Sequence, residues 1–96
     1  VDAKGNSVPA SYALHDCYPN PFNPATTISY QLPAKSRVTL KIYDFRGREV
    51  ANLVNAEQSA GYYSLSWNAA HLSSGVYFAR LTAGSYLKTR RMLLLK

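Results

Sequence analysis

Apolar and polar residues alternate along much of this chain with a period of two. The clearest case is the segment 37–43, in which Val38, Leu40 and Ile42 are separated by polar or cationic residues. Alternation of this kind predicts a β-strand with one buried face. Other segments repeat the pattern less cleanly, and we predict strands at 12–17, 27–32, 37–43, 48–54, 61–67, 75–82 and 85–96.

Turn signals separate these predicted strands. Asp44-Phe45-Arg46-Gly47 predicts a turn in which Gly47 takes a positive φ, and residues 55–60 predict a loop or a short helical turn. No segment is a convincing amphipathic helix. We therefore predict an all-β fold, an immunoglobulin-like antiparallel β-sandwich of about seven strands. The similarity is architectural, because the paired cysteines of antibody domains are absent.

Residues 18–24 contain three prolines in seven positions. Proline lacks a backbone donor and fixes φ, so this segment predicts a rigid crossing that pins the entry into the next strand. The small, polar residues before it predict a linker or remnant at 1–11, followed by one domain at 12–96. The first residue is Val1 rather than Met, which we interpret as a sign of a longer parent protein.

Positive charge is concentrated in the second half of the chain. Residues 1–57 carry six cations and five acids, whereas residues 58–96 carry five cations and no acid, within a net charge of +6. Such a segment can attract an acidic protein, an anionic membrane surface or nucleic acid. Aliphatic residues follow the cations here, rather than the interleaved aromatics that single-stranded nucleic acid favours. We therefore expect a protein or membrane-surface partner and no nucleic acid.

The segment 88–96, KTRRMLLLK, joins a cationic stretch directly to an apolar one. Its apolar run is far shorter than the roughly 20 residues that span a bilayer, so we do not expect a membrane span. Because Arg90 and Arg91 are adjacent, one of them must face inward or lie beyond the covered part of the sheet. We predict an edge strand whose free backbone groups a partner strand can pair with. Free edges also predict weak self-association.

No group of residues in the sequence predicts catalysis. The five acids lie mostly at turns or strand ends, and His15 and His71 are far apart without metal-ligand spacing. Cys17 is the only cysteine, and we expect it to be a small buried residue. We therefore predict no enzyme, no metal and no cofactor.

Two other non-catalytic functions stay open at this point. A row of exposed aromatic side chains would make a carbohydrate-binding or cell-attachment module of a multidomain extracellular enzyme. The candidates are Tyr43, Tyr62, Phe78 and Tyr86, although tyrosines also cover core edges in ordinary sheets. The second alternative is a passive immunoglobulin-like spacer.

Five motifs in order resemble a known family. They are YPNPFNPATTI at 18–28, IYD at 42–44 leading to GREV at 47–50, SAG at 59–61, LSSGVY at 72–77, and the segment 88–96. This pattern resembles the C-terminal sorting domains of the type IX (Por) secretion system, type A, and is similar to the immunoglobulin-like domain of the flagellar hook-capping protein. The resemblance covers residues 14–96.

The resemblance implies a sorting signal for a cargo domain that precedes it in the same polypeptide. The signal would direct this cargo through the periplasm to the cell surface or the medium. The implied partners are an outer-membrane translocon and a sortase-like peptidase. The implied recognition residues are Gly75, Val76, Tyr77, Lys88, Arg90, Arg91, Met92, Leu94 and Lys96. The remaining motif residues are expected to be structural, namely Pro19, Asn20, Pro21, Phe22, Asn23, Pro24, Asp44, Gly47 and Arg48.

Overall fold

The alternating segments form seven β-strands in two antiparallel sheets, in a computed structural model that describes residues 8–96. The predicted linker therefore lies largely outside the described residues. The strands are β1 (Ala13–Leu14), β2 (Ala25–Leu32), β3 (Ser36–Asp44), β4 (Glu49–Gln58), β5 (Gly61–Asn68), β6 (Gly75–Ala83) and β7 (Tyr86–Leu94). No helix occurs among the described residues.

The two sheets have the orders β1-β2-β5 and β4-β3-β6-β7. The strands β6 and β7 form a hairpin in which Ala83 pairs with Tyr86, and Gly84 takes a φ of 60° in the two-residue turn between them. The all-β sandwich prediction is confirmed.

The inward faces of both sheets form one hydrophobic core. Val38, Leu40 and Ile42 are all 0% exposed, as their alternation predicts. Each such aliphatic side chain contributes about 1.5–3 kcal/mol on burial. Trp67 lies in the same core, between Phe22, whose ring centroid is 5.8 Å away, and Tyr77, at 6.1 Å.

The strand β4 differs from its prediction. It extends through residues 55–58, which were expected to be a loop or helical turn, because these residues pair with the first half of β3. The pairing shifts register between Leu40 and Lys41 and again between Ile42 and Tyr43. Each shift moves the apolar positions of β4 to the other parity, so its sequence does not alternate cleanly.

Within residues 8–96 we find no helix long and apolar enough to cross a bilayer. The same residues contain no group of three or more histidine, cysteine or acidic side chains suited to hold a metal ion. Cys17 is buried, as expected, and burial together with the Asp16 charge raises the pKa of its thiol to about 11, against a smaller opposing effect of Arg90.

Candidate recognition site

Most of the predicted motif residues meet at one end of the sandwich. The strands β3, β5 and β7 end there, and β2, β4 and β6 begin there. Asp44 pairs with Tyr77, Gly75 pairs with Leu94, and Leu94 forms an isolated bridge with Phe22. We call this region the motif end and define it as residues 18–24, 44–48, 69–77 and 92–96. Three predicted recognition residues lie outside it, because they pair farther along the hairpin: Lys88 with Leu81, Arg90 with Ala79 and Arg91 with Phe78.

The turn between β3 and β4 is organised by Asp44. Its carboxylate accepts hydrogen bonds from the backbone N–H of Arg46 (2.9 Å) and of Arg48 (3.0 Å), and from Nε of Arg48 (3.2 Å). Gly47 takes the positive φ of 84° that the sequence predicts. The Arg48 N–H lowers the pKa of Asp44 most, burial opposes it, and the Arg46 N–H and the Arg48 charge lower it further. These contacts fix the turn between β3 and β4.

The proline-rich segment crosses from one sheet to the other. Phe22 is 2% exposed and packs on Trp67, whereas the surrounding Pro19, Asn20, Pro21 and Asn23 are exposed and Pro24 is half-buried. The Thr26 hydroxyl donates to the Pro19 carbonyl at 2.8 Å, and the N–H of Ala69 donates to the Pro24 carbonyl at 2.8 Å. The segment is thus tied both to β2 and to the loop after β5.

The last strand separates its side chains into two sets. Met92 and Leu94 face inward and are 0% exposed, so in the folded domain they belong to the core rather than to a contact surface. Arg91 faces the solvent, and Leu93 on the same face is half-buried. The apolar run at the end of the chain therefore serves mainly to close the sandwich.

The adjacent arginines Arg90 and Arg91 point to opposite faces. Arg90 is directed across the sandwich toward β1, where its Nε donates to the Leu14 carbonyl at 2.8 Å and its Nη1 lies 3.3 Å from Oδ1 of Asp16. This resolves the orientation that the sequence left open. Asp16 was not among the predicted site residues, since no motif marks it.

The outer edge of β7 is partly covered, which corrects the expectation of a free edge. Leu93 uses its backbone N–H to donate to Oδ1 of Asn20 (3.0 Å), and its carbonyl accepts from the N–H of Phe22 (2.9 Å). Nδ2 of Asn20 donates to the Arg91 carbonyl at 2.9 Å, and the N–H of Leu95 donates to the Phe22 carbonyl at 3.0 Å. The edge is thus occupied from 91 to 95, and only the stretch before it is open to strand addition.

Lys96 is held by the loop that precedes β6. Its Nζ donates to the carbonyl oxygens of Ala70 (2.6 Å) and Leu72 (2.7 Å), and its backbone N–H donates to Oγ of Ser74 (2.9 Å). Tyr77, 6% exposed, donates from its hydroxyl to the Ser73 carbonyl at 2.7 Å, so the same loop is fixed from both sides.

The four aromatic residues proposed for sugar stacking do not form one platform. Tyr43 and Phe78 are neighbours on the outer face of the four-stranded sheet, but the Arg80 guanidinium lies over the Tyr43 ring at 5.0 Å. Tyr62 is 66% exposed on β5, in the other sheet. Tyr86 packs against the core and stacks on Tyr12 at 5.4 Å.

Comparison with known proteins agrees with the motifs gathered at this end. A profile described as "Secretion system C-terminal sorting domain" matches residues 16–95. The chain belongs to this family. Sorting domains of this kind are the C-terminal signals of type IX secretion cargo, so the family recognised from the five motifs is confirmed.

One solved structure similar to this sorting domain is that of PorZ, an essential bacterial surface component of the type IX secretion system of Porphyromonas gingivalis. The match has a TM-score of 0.58 at 22% identity, and it covers 99% of this chain. The domain spans only 12% of that protein, so the match supports the fold. A search of curated proteins finds no match.

Family membership has consequences that are independent of individual residues. A sorting domain implies the machinery of its secretion system, a cargo in the same chain, and delivery to the cell surface or the medium. Sorting domains are in general non-catalytic.

Proposed function

We propose that residues 12–96 form the folded export signal of a cargo protein that lies upstream in the same polypeptide, with residues 1–11 as its linker. The cargo passes through the periplasm, an outer-membrane translocon receives the signal, and a sortase-like peptidase removes it. The domain itself performs no chemistry.

We further propose that the translocon contacts the outward side of β7 rather than its apolar core residues. The observation that carries this proposal is the difference in exposure along β7. Arg91 and Lys88 are exposed, whereas Met92 and Leu94 are fully buried. Neither of these two cations has an ion-pair partner among residues 8–96, so both are available to an acidic partner.

A groove beside the outer edge of β7 includes Arg91, one of these two cations. Its volume is about 590 Å³, and it is bordered by Asp16 and Asn20 on one side and by Thr89 and Arg91 on the other. Val76, the middle residue of the Gly-Val-Tyr motif, lines it together with Leu93. The groove therefore combines cationic, acidic and apolar side chains, which a specific protein contact can use.

The remaining residues of the predicted recognition set act through the fold in this proposal. Tyr77, Met92 and Leu94 build the core, Arg90 joins the two sheets, and Lys96 fixes the loop before β6. Deleting residues 92–96 would remove core side chains together with any contact residues. Substitution of exposed residues is therefore the sharper test of recognition.

The proposed function is tested by a reporter fusion. A monomeric fluorescent protein, preceded by a periplasmic export leader and followed by residues 1–96, is expressed in a bacterium with a type IX system. We expect the reporter on the surface or in the medium, and we expect mass spectrometry to detect reporter that has lost the domain.

Two controls decide the outcome. The reporter without residues 1–96, and the full fusion in a strain lacking the translocon, are both expected to stay in the periplasm. Equal surface delivery with and without the domain would contradict the proposal and leave a structural spacer as the explanation.

A further inference from the structure

A second concave surface at the motif end adjoins the β7 groove at Val76 and extends to the β3–β4 turn. It separates the β3–β4 turn from the loop that leads into β6, and its volume is about 300 Å³. On the turn side it is bordered by Phe45, Arg46 and Arg48, and on the loop side by Ser73 and Ser74. We call this surface the turn cleft.

The cationic side of the turn cleft carries charge that the domain itself does not neutralise. Arg46 is exposed and engages Asp44 only through its backbone N–H. Arg48 is 74% exposed and contacts Asp44 through Nε, so its two terminal nitrogens have no partner among the described residues. The cleft is therefore bordered by two guanidinium groups that are free to bind an anion.

Asp44, the one acid among residues 8–96 that lines the cleft, cannot compete for these groups further. Asp44 already accepts three hydrogen bonds from the turn, and these keep its carboxylate ionised and its pKa low. The neighbouring acid, Glu49, lies 3.4 Å from Nζ of Lys41 on the outer face of the sheet. Asp44 thus orients Arg48 toward the cleft, while the charge balance at the cleft stays positive.

Apolar side chains also line the turn cleft. Phe45 is 71% exposed at the tip of the turn, and the Arg46 guanidinium lies 5.5 Å from its ring centroid. Leu72, Val50 and Val76 are half-buried along the cleft. Large exposed aromatic side chains beside arginines are typical of protein contact sites, since they combine apolar area with planar hydrogen-bond donors.

We propose that the turn cleft binds an extended peptide segment in which an acidic residue is flanked by aliphatic ones. The carboxylate receives paired N–H donors from Arg46, the geometry in which guanidinium groups bind carboxylates most strongly. The aliphatic neighbours lie on Phe45, Leu72 and Val76. A small inorganic anion would leave these apolar contacts unused, which favours a peptide.

The inference deepens the proposed function, because it assigns an acidic protein segment to a site separate from β7. It is tested on the purified 96-residue chain by following backbone amide signals in NMR titrations. The probe is acetyl-Leu-Glu-Val-amide, and the matched probe is acetyl-Leu-Gln-Val-amide. We expect saturable shifts at 45–48 and 73–76 with the glutamate peptide in the millimolar range, and affinity weaker by about tenfold with the glutamine peptide.

Two substitutions locate the binding without disturbing the core. Arg46→Gln keeps the backbone donor to Asp44 and is expected to weaken glutamate-peptide binding by about tenfold, whereas Arg37→Gln, on β3 at the opposite end, leaves it unchanged. Phe45→Ala is expected to weaken both peptides alike.

The inference is overturned by an absence of saturable shifts, by equal binding of the two peptides, or by equal effects of Arg46→Gln and Arg37→Gln. It is also overturned if inorganic phosphate shifts the same amides with the same affinity as the glutamate peptide. The titration involves no secretion machinery, so its failure leaves the export proposal standing. Loss of surface delivery in the reporter assay would, conversely, leave the peptide site intact.

Discussion

The two edge strands of the four-stranded sheet, β7 and β4, differ in whether another segment of the chain forms hydrogen bonds to their outer edge. Along residues 91–95 of β7, the outward backbone groups are paired by Asn20 and Phe22, more than 70 positions earlier in the sequence. The strand β4 is longer, at ten residues, and no other described segment adds backbone hydrogen bonds to its outer edge. Two shifts of register against β3 and the exposed acids Glu49 and Glu57 make this edge less suited to pairing.

This difference shows where the sequence fixes backbone pairing most strictly. A bulged edge strand is disfavoured for pairing with another strand, but its backbone groups are still unpaired. An edge strand whose backbone groups are hydrogen-bonded by the same chain has a single pairing arrangement. Closing the second half of β7 fixes the inward and outward sets of its side chains. Of the two cations proposed for recognition, Arg91 therefore lies where the edge is covered, and Lys88 lies in the open stretch before it.

The largest expected effect comes from removing the side chain that anchors the cover of β7. Phe22→Ala deletes a ring that is 2% exposed and packs on Trp67, and we expect it to lower the free energy of unfolding by about 3–5 kcal/mol. Urea denaturation measures this change. Phe45→Ala is the matched control, because that ring is 71% exposed, and its effect is expected within about 0.5 kcal/mol. Similar losses for both variants would contradict the anchoring role.

A smaller loss of stability is expected on removing Asn20, the side chain that forms hydrogen bonds directly to β7. Asn20→Ala removes two hydrogen bonds to β7 and is expected to cost about 1–2 kcal/mol. Hydrogen exchange of the Leu93 amide is expected to accelerate more than that of amides in β3. Asn23→Ala, in the same segment and also exposed, is the control. Unchanged exchange at Leu93 would show that the cover does not protect the edge.

The turn that leads into β4 has a predictable pH dependence. The folded-state pKa of Asp44 is lowered, so its carboxylate contributes stability that is fully present above the ordinary Asp value of about 3.9. This contribution is lost as the pH falls below that value and through the lowered one. We expect the thermal unfolding midpoint of the natural chain to fall more steeply between neutral and acidic pH than that of Asp44→Asn. Parallel profiles would contradict the assignment.

The smallest effect concerns the bare edge itself. We expect weak self-association through β4, detectable by sedimentation equilibrium at high protein concentration. Asn52→Lys places a charge on this edge and is expected to reduce the association. Thr27→Lys adds the same charge on an inner strand and is expected to change it less. Equal reduction by both would indicate simple charge repulsion rather than edge pairing.

Sequence reasoning succeeded where local patterns decide the structure. The alternation of Val38, Leu40 and Ile42 predicts their burial, and the glycine in the β3–β4 turn predicts its positive φ. The irregular strand β4 was only partly predicted, because its bulges break the period on which strand prediction depends. Local periodicity carries no information about such register shifts.

The candidate site was harder to predict, because it depends on contacts between distant parts of the chain. The family motifs identified the segments, but not which of their side chains face outward. The burial of Met92 follows from the register of β7 against β6, and the cover by Asn20 follows from a crossing between sheets. Neither is encoded in the spacing of neighbouring residues. Asp16, the partner of Arg90, lies outside every motif for the same reason.

The most direct test of the central claim compares two charge-reversed reporters in a type IX strain. One carries Lys88→Glu with Arg91→Glu on β7, and the other carries Lys35→Glu with Arg37→Glu at the opposite end, so the net charge of both is the same. Purified chains are first checked for equal unfolding midpoints. At equal expression levels, the account predicts that the β7 variant stays in the periplasm and that the other variant reaches the cell surface. Surface delivery of a folded β7 variant at the unsubstituted level would contradict it.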